Sequence, residues 1–323
     1  MRNLLFKAAA AFAAGVVGVY ILGCDATGPP TEFGNAELIY EYVSGSVSYF
    51  YLADVSPDGN TYLIWACISS TLDPALFLLE PETDDLKLIC SGPEWTYYRP
   101  KLSPDRKNVL FSELSAVYVV PVAGGEPRRI NLEGLDPEPM QWVDDETVLF
   151  IVAEWNSPED YGWKVKTVNV YTLEVNTLIS VIIKSTGFTV SNAYLSPDGK
   201  YLSVNGIYKE GDEFSSDIYF FRIYDTETGE YKEYVLGEDG IDYHPDGRWS
   251  PDGNKVGTAV TTSDRTYLGY FDVGTSEQIM SFSSYKLLFN PFYEVIWSAD
   301  GKKMLGSEDR DDNILRVFAI DVE

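Results

Sequence analysis

From residue 37 onward the apolar positions fall in short runs separated by polar, turn-forming clusters, and no long segment carries the 3.6-residue apolar period of a helix. Residues 194–204, YLSPDGKYLSV, show the unit: an apolar run, a turn centred on Asp198, and a second apolar run. Copies of the turn recur as VSPDGN at Asp58, LSPDRK at Asp105, WVDDET at Asp145, LSPDGK at Asp198, WSPDGN at Asp252 and WSADGK at Asp300. The steps between these aspartates are 47, 40, 53, 54 and 48 residues. A period of about 40 to 50 residues marks a propeller or another repeat array.

Each copy leads into the same order of elements. A strand follows the turn (TYLIWAC, NVLFSEL, TVLFIVA, YLSVNGI, KVGTAVT, KMLGSED), then a variable loop, then a second strand such as ALFLLE, VKTVNVYTL or IYFFRIYD. In most units a tight turn and a last strand close the repeat. With a strand ahead of the Asp turn, four antiparallel strands make one blade. The sixth unit stops after its third strand, and the unassigned strand ELIYEYV at residues 37–43 supplies a fourth. The expected fold is all-β: a six-bladed β-propeller over residues 37–323, its last blade closed by the N-terminal strand, after a signal or anchor at 1–24 and a linker at 25–36. Pro sets φ, Asp bonds back to its own backbone and Gly takes the left-handed position, so the repeated turn shapes the scaffold and carries no catalysis.

Composition narrows the partners. Lys and Arg total 24 against 50 Asp and Glu, a formal net charge of -26. That charge repels nucleic acid and anionic lipid, and leaves a basic protein, a divalent cation or a neutral sugar open. There are three cysteines. Cys67 ends the second strand of the first repeat and Cys90 the fourth, roughly 9–10 Å apart by strand spacing. Disulfides need Cα atoms within about 7 Å, so both are expected as free, mostly buried thiols.

Residues 1–24, MRNLLFKAAAAFAAGVVGVYILGC, place Arg2 and Lys7 before an uncharged apolar run. This reads as an export signal, and a run of about 20 residues also fits a single spanning helix. ILGC resembles a bacterial lipobox, with Cys24 as the lipidated residue; an ordinary cleaved signal is the third reading. Asp25 resembles an inner-membrane retention signal. Each reading places the body outside the cytoplasm, in the periplasm or at the cell surface, and the first two anchor it to a membrane.

The SPDG turns followed by KYLSV or NTYLIW resemble the PD40, or WD40-like, repeat of TolB-like six-bladed propellers. The third copy departs from the pattern by lacking Pro and Gly, the second by lacking Gly. The resemblance implies the fold, and a range of functions: periplasmic protein-binding scaffolds, gating domains of prolyl-oligopeptidase-type peptidases, and enzymes on sugars.

The long loops gather on the face opposite the Asp turns. They hold Trp95, Tyr97, Tyr98, Trp155, Tyr161, Trp163, Tyr208, Phe214, Tyr243, Tyr285, Phe289, Phe292 and Tyr293. Aromatic rings among acids suit a protein partner with basic residues, or a glycan that stacks on rings; the competing reading has the rings folded back over the blade ends. Asp309, Asp311 and Asn313 alternate as a calcium loop begins, but Ile314 stands where glycine is needed, so no cofactor is expected and calcium is the minor alternative. His244 is the only histidine and there is no GxSxG elbow. Glu154, Asp160, Glu210 and Asp239 are the candidates for a hydrolytic or lytic acid pair. The expected function is a membrane-tethered, extracytoplasmic protein-binding scaffold, a subunit or assembly factor of an envelope complex. The alternatives are a carbohydrate-binding propeller and a polysaccharide hydrolase or lyase.

Overall fold

The Asp turn is built the same way five times. Ser56 Oγ donates to Asp58 Oδ1 (2.6 Å), the Asn60 N–H donates to the same oxygen (3.1 Å), and the Thr61 N–H donates to Ser56 Oγ (3.0 Å). Ser103–Asp105, Ser196–Asp198, Ser250–Asp252 and Ser298–Asp300 repeat this arrangement. The residue after the Asp takes positive φ: glycine in four copies and Arg106, at φ 60°, in the second. The third copy differs from the sequence reading. There Asp144, not Asp145, accepts the N–H groups of Glu146 (2.8 Å) and Thr147 (2.7 Å), which shortens the turn by one position.

These turns connect strands in a computed structural model that describes residues 36–92, 97–113, 116–131, 137–157, 160–183, 189–209, 217–237, 242–244, 247–261, 266–275, 277–284, 295–307 and 313–322. The described elements are all strands. After β1 (Glu37–Val43), the first sheet comprises β2 (Val47–Val55), β3 (Tyr62–Ile68), β4 (Pro74–Glu80) and β5 (Asp85–Ser91). The second comprises β6 (Tyr98–Leu102), β7 (Asn108–Glu113), β8 (Ala116–Pro121) and β9 (Arg128–Ile130). The third comprises β10 (Pro137–Trp142), β11 (Thr147–Ser157), β12 (Asp160–Asn169) and β13 (Val175–Ile183). The fourth comprises β14 (Thr189–Leu195), β15 (Tyr201–Lys209), β16 (Asp217–Asp225) and β17 (Tyr231–Gly237). The fifth comprises β18 (Asp242–His244), β19 (Lys255–Thr261), β20 (Thr266–Asp272) and β21 (Glu277–Ser284). In the last, β22 (Ile296–Trp297), β23 (Lys303–Ser307) and β24 (Ile314–Asp321) take β1 as their outer strand, with Tyr42 opposite Leu315 and Glu37 opposite Ala319.

The architecture is a β-propeller. The first strands of the sheets face one another: β2 touches β6 and β22, and β10 touches β6 and β14. The apolar core lies between neighbouring sheets. Leu63, Leu76 and Ile89 of the first sheet pack with Leu102, Val109 and Phe111 of the second. Ile64, Phe77 and Leu79 on the opposite face of the first sheet pack with Leu305, Leu315 and Val317 of the last. Alternation along each strand therefore feeds two interfaces at once, because successive side chains point to opposite faces.

Several expected loops are strand. Residues 154–163 continue β11 to Ser157 and begin β12 at Asp160; Tyr208 lies in β15, and Tyr243 and His244 form part of β18. The expected third-repeat strand over residues 165–173 ends at Asn169, whose Oδ1 accepts the Tyr171 and Thr172 N–H groups and starts a turn. Both described cysteines are free thiols, Cys90 buried and Cys67 half-buried.

Candidate functional site

Counting back from the turn aspartates, the positions three and four residues upstream meet across five junctions between inner strands. Trp142 Nε1 donates to the Lys101 carbonyl (3.1 Å), Trp249 Nε1 to the Tyr194 carbonyl (2.9 Å) and Trp297 Nε1 to the Arg248 carbonyl (3.1 Å). Two other junctions use a side chain from the facing strand. Asp54 Oδ2 accepts the Leu102 N–H (3.0 Å), and the Gln141 amide both accepts the Leu195 N–H (2.8 Å) and donates to the Leu195 carbonyl (3.1 Å). Between the last sheet and the first, the Leu52 N–H donates to Ser307 Oγ (3.0 Å).

Two further links join sheets that are not neighbours in the chain. Arg248, just ahead of the fifth Asp turn, reaches Asp54 of the first sheet, Nη1 to Oδ1 at 3.3 Å, with side-chain exposures of 16% and 14%. Arg99 of the second sheet is buried and donates to Asn192 Oδ1 and to the Ser191 carbonyl (3.4 Å) of the fourth, passing Met140 Sδ of the third at 3.2 Å. Tyr97 and Arg99 both adopt left-handed backbone, φ 48° and 50°, where β6 departs from regular pairing with β7. Such conformations persist only where surrounding contacts impose them. Sequence reasoning missed this polar centre, because its partners lie as much as 194 residues apart and no local spacing announces them.

The expected aromatic face divides. Tyr97 is a correction: it is fully buried, edge-on to Phe111 with centroids 4.9 Å apart, and belongs to the core between the first two sheets. Burial pushes the Cys90 thiol up to about 11, with Tyr97 acting in the opposite direction. Trp163 is half-buried and packs on the core between the third and fourth sheets. Trp155 and Tyr161 sit directly opposite each other in the β11–β12 hairpin, and Tyr208 faces Ile218 at the same end of the fourth sheet. Tyr98 lies in β6 opposite Ser112, and Tyr243 in β18 opposite Val260. Trp95, Phe214, Tyr285, Phe289, Phe292 and Tyr293 lie outside the described residues, as do Cys24, Glu210, Asp239, Asp309 and Asp311. Glu154 and Asp160 lie in β11 and β12. The Asn313 amide donates to the Ser44 carbonyl (2.6 Å) and the Ser44 N–H to the Asn313 carbonyl (2.9 Å), which fastens the end of β1 to the start of β24. Among the described residues no cluster of three or more His, Cys, Asp or Glu could hold a metal ion.

Solved structures share this arrangement. The likeness is one of fold. An oligogalacturonate lyase from Vibrio parahaemolyticus superposes with a TM-score of 0.55 at 11% identity, over 90% of this chain and 97% of that one. TolB from Acinetobacter baumannii gives 0.54 at 17% identity, over 86% of this chain and 65% of TolB. The β-propeller domain of the Trilobed protease from Pyrococcus furiosus gives 0.51 at 15%, over 84% and 78%. No family model and no curated protein matches the chain.

Proposed function

We propose that the chain is a protein-binding scaffold held outside the cytoplasm, in which the six four-stranded sheets are six blades of one ring and β1 closes it. The N-terminal segment tethers the ring to a membrane, through Cys24 or a spanning helix, and the hairpin face meets a protein partner of the envelope. The observation that carries this reading is the third sheet's β11–β12 hairpin, of 11 and 10 residues, with Trp155 directly across from Tyr161. Paired strands hold these positions in register, so a partner meets them without first ordering a loop, which lowers the entropic cost of binding. The net charge of -26 favours a basic partner surface.

The test is photo-crosslinking in native cells from residue 155 and, separately, from residue 161, followed by mass spectrometry. One dominant protein captured from both positions, and lost when Trp155 and Tyr161 are changed to Ala, supports the reading. A folded, membrane-bound bait that captures no protein from either position overturns it, and a polysaccharide array then tests glycan binding. Trp163 stays unchanged in this experiment, because its packing on the core makes its removal a stability change.

A further inference from the structure

The turn between the last two strands of a sheet is built alike in the third and fourth sheets, and its occupants differ. In the fourth, Asp225 Oδ1 accepts the N–H groups of Glu227 (3.0 Å) and Thr228 (2.8 Å), and the Gly229 N–H donates to the Asp225 carbonyl (2.9 Å). In the third, Asn169 Oδ1 accepts the N–H groups of Tyr171 and Thr172 (both 2.9 Å), and the Leu173 N–H donates to the Asn169 carbonyl (2.9 Å). Tyr171 therefore stands where the fourth sheet has Glu227, and Leu173 where it has Gly229. The first sheet has Glu82 and Asp84 at these places. Glycine suits the second of them because its backbone is left-handed: φ is 74° at Gly229 and 60° at Leu173. That conformation strains a leucine, and Leu173 does not offset the strain by burial. It is 41% exposed, between Tyr171 at 55% and Val175 at 37%. Tyr171 is held in place, its hydroxyl accepting from the Asn108 amide (3.2 Å) and its ring centroid 5.8 Å from the exposed Arg128 guanidinium. Glu146 and Glu174 flank the tip.

This tip and the start of β1 lie on one face. The Val170 N–H donates to the Glu146 carbonyl (2.8 Å) of the third Asp turn, which sets Tyr171 and Leu173 beside the Asp turns. Lys303, just past the last Asp turn, reaches both Glu37 (3.6 Å) and Asp321 (3.5 Å), which sets the start of β1 at the same face. Leu38 and Ile39 are exposed there. Cys24 stands 13 positions before Glu37, a reach of at most about 45 Å. We propose that the Tyr171–Leu173 tip rests on the zwitterionic phospholipid surface that the tether enters. The inference rests on the tether proposed above, which brings the bilayer to the Asp-turn face. Tyrosine and leucine suit the boundary between headgroups and acyl chains, and Arg128 suits the lipid phosphate. Glu146 and Glu174 match the cationic half of a zwitterionic headgroup and oppose an anionic one. The tether holds the ring at one point and leaves its tilt free. A second contact at the third sheet fixes the tilt and turns the far end of that sheet, with Trp155 and Tyr161, away from the membrane.

The test reconstitutes the full chain into phosphatidylcholine vesicles and floats them, with a photo-reactive benzoylphenylalanine at residue 173 or, separately, at residue 72. Leu72 is the matched control: it too is an exposed leucine with left-handed backbone (φ 61°), in the β3–β4 loop of the opposite face. The expected result is phospholipid adducts from residue 173 at least about tenfold above those from residue 72. A second pair of chains carries the crosslinker at residue 175, one of them with Tyr171→Glu and Leu173→Gly. These changes restore the fourth sheet's turn, so the melting temperature is expected to hold or rise, while lipid labelling falls about fivefold or more. Chains that float but label lipid no better from residue 173 than from residue 72 overturn the proposal and leave the tether standing. So do chains that label only protein from residue 173, or a restored turn that labels lipid as well as the parent. Chains that do not float overturn the tether, and the proposal with it.

Discussion

Replacing Asp54 with Ala tests whether the polar centre holds the propeller together. One carboxylate serves two distant elements: Oδ2 accepts the buried Leu102 N–H, and Oδ1 takes the Arg248 guanidinium. Truncation leaves the Leu102 N–H without this acceptor, a loss of about 1–3 kcal/mol. It also removes the carboxylate from Arg248. Breaking a fully buried pair costs about 3–5 kcal/mol in total; side-chain exposures of 14% and 16% admit some solvent screening, so we expect about 2–4 kcal/mol. Asp54→Asn keeps an oxygen for Leu102 and loses only the charge, and is expected to cost about half as much. The assay is urea unfolding followed by tryptophan emission, with thermal melting alongside; for a domain of this size each kcal/mol lowers the midpoint by about 2 °C. A double-mutant cycle with Arg248→Met isolates the pair, and coupling of at least about 1 kcal/mol is expected. An Asp54→Ala protein within about 0.5 kcal/mol of the parent would refute the reasoning. So would strict additivity with Arg248→Met.

Arg106→Gly relieves a left-handed residue in the second Asp turn, worth about 1 kcal/mol, and loses an exposed ion pair to Asp58 worth under about 1 kcal/mol; a melting temperature raised by about 1–2 °C is expected, and a lowered one contradicts the turn analysis. Hydrogen bonds from Ser56 and the Asn60 N–H hold Asp58 below its ordinary value of 3.8, and Ser196 with the Lys200 N–H does the same for Asp198. A lowered folded-state value means stability that is complete above the ordinary value and lost as pH falls through the folded one, so the turns' contribution should disappear only below about pH 4; Asp198→Asn should make the acid limb of a stability–pH curve shallower, and an unchanged limb would count against it. In the native protein at neutral pH, iodoacetamide should label half-buried Cys67 well before buried Cys90, while denaturant exposes both thiols; mass spectrometry of the labelled peptides reads the order.

The turn was legible in the sequence because its chemistry is local: a Ser, an Asp and a glycine within four positions fix their own hydrogen bonds. The outer strand at residues 37–43 was legible because the repeat left one strand without a sheet and one sheet without a strand. The hairpin at residues 154–163 was not. Its Asn, Pro, Asp and Gly are turn formers, and only the pairing of β11 with β12 shows that the strands run on to Ser157 opposite Asp160. The turn at Asp144 was displaced by one because two adjacent aspartates offer the same carboxylate, and local spacing does not choose between them. Tyr97 read as an exposed ring because it follows Trp95 in a polar stretch, whereas its left-handed backbone turns it inward against Phe111. Arg99, Asp54 and Arg248 gave no signal at all: each finds its partners in a distant sheet, and no local spacing brings them together.

The three indole bonds have a consequence for how such a protein changes over time. At those junctions the acceptor is a main-chain carbonyl, and the residues that supply it are Lys101, Tyr194 and Arg248, two cations and an aromatic ring. The joint is indifferent to the side chain on its accepting side. A mutation there therefore leaves the indole bond its acceptor, although the buried Lys101 and Tyr194 side chains and the Arg248 pair with Asp54 make contacts of their own. At Asp54 and Gln141 the side chain is itself the joint, and the same freedom is absent. The indole junctions thus survive a change of side chain on their accepting side, and the junctions at Asp54 and Gln141 do not.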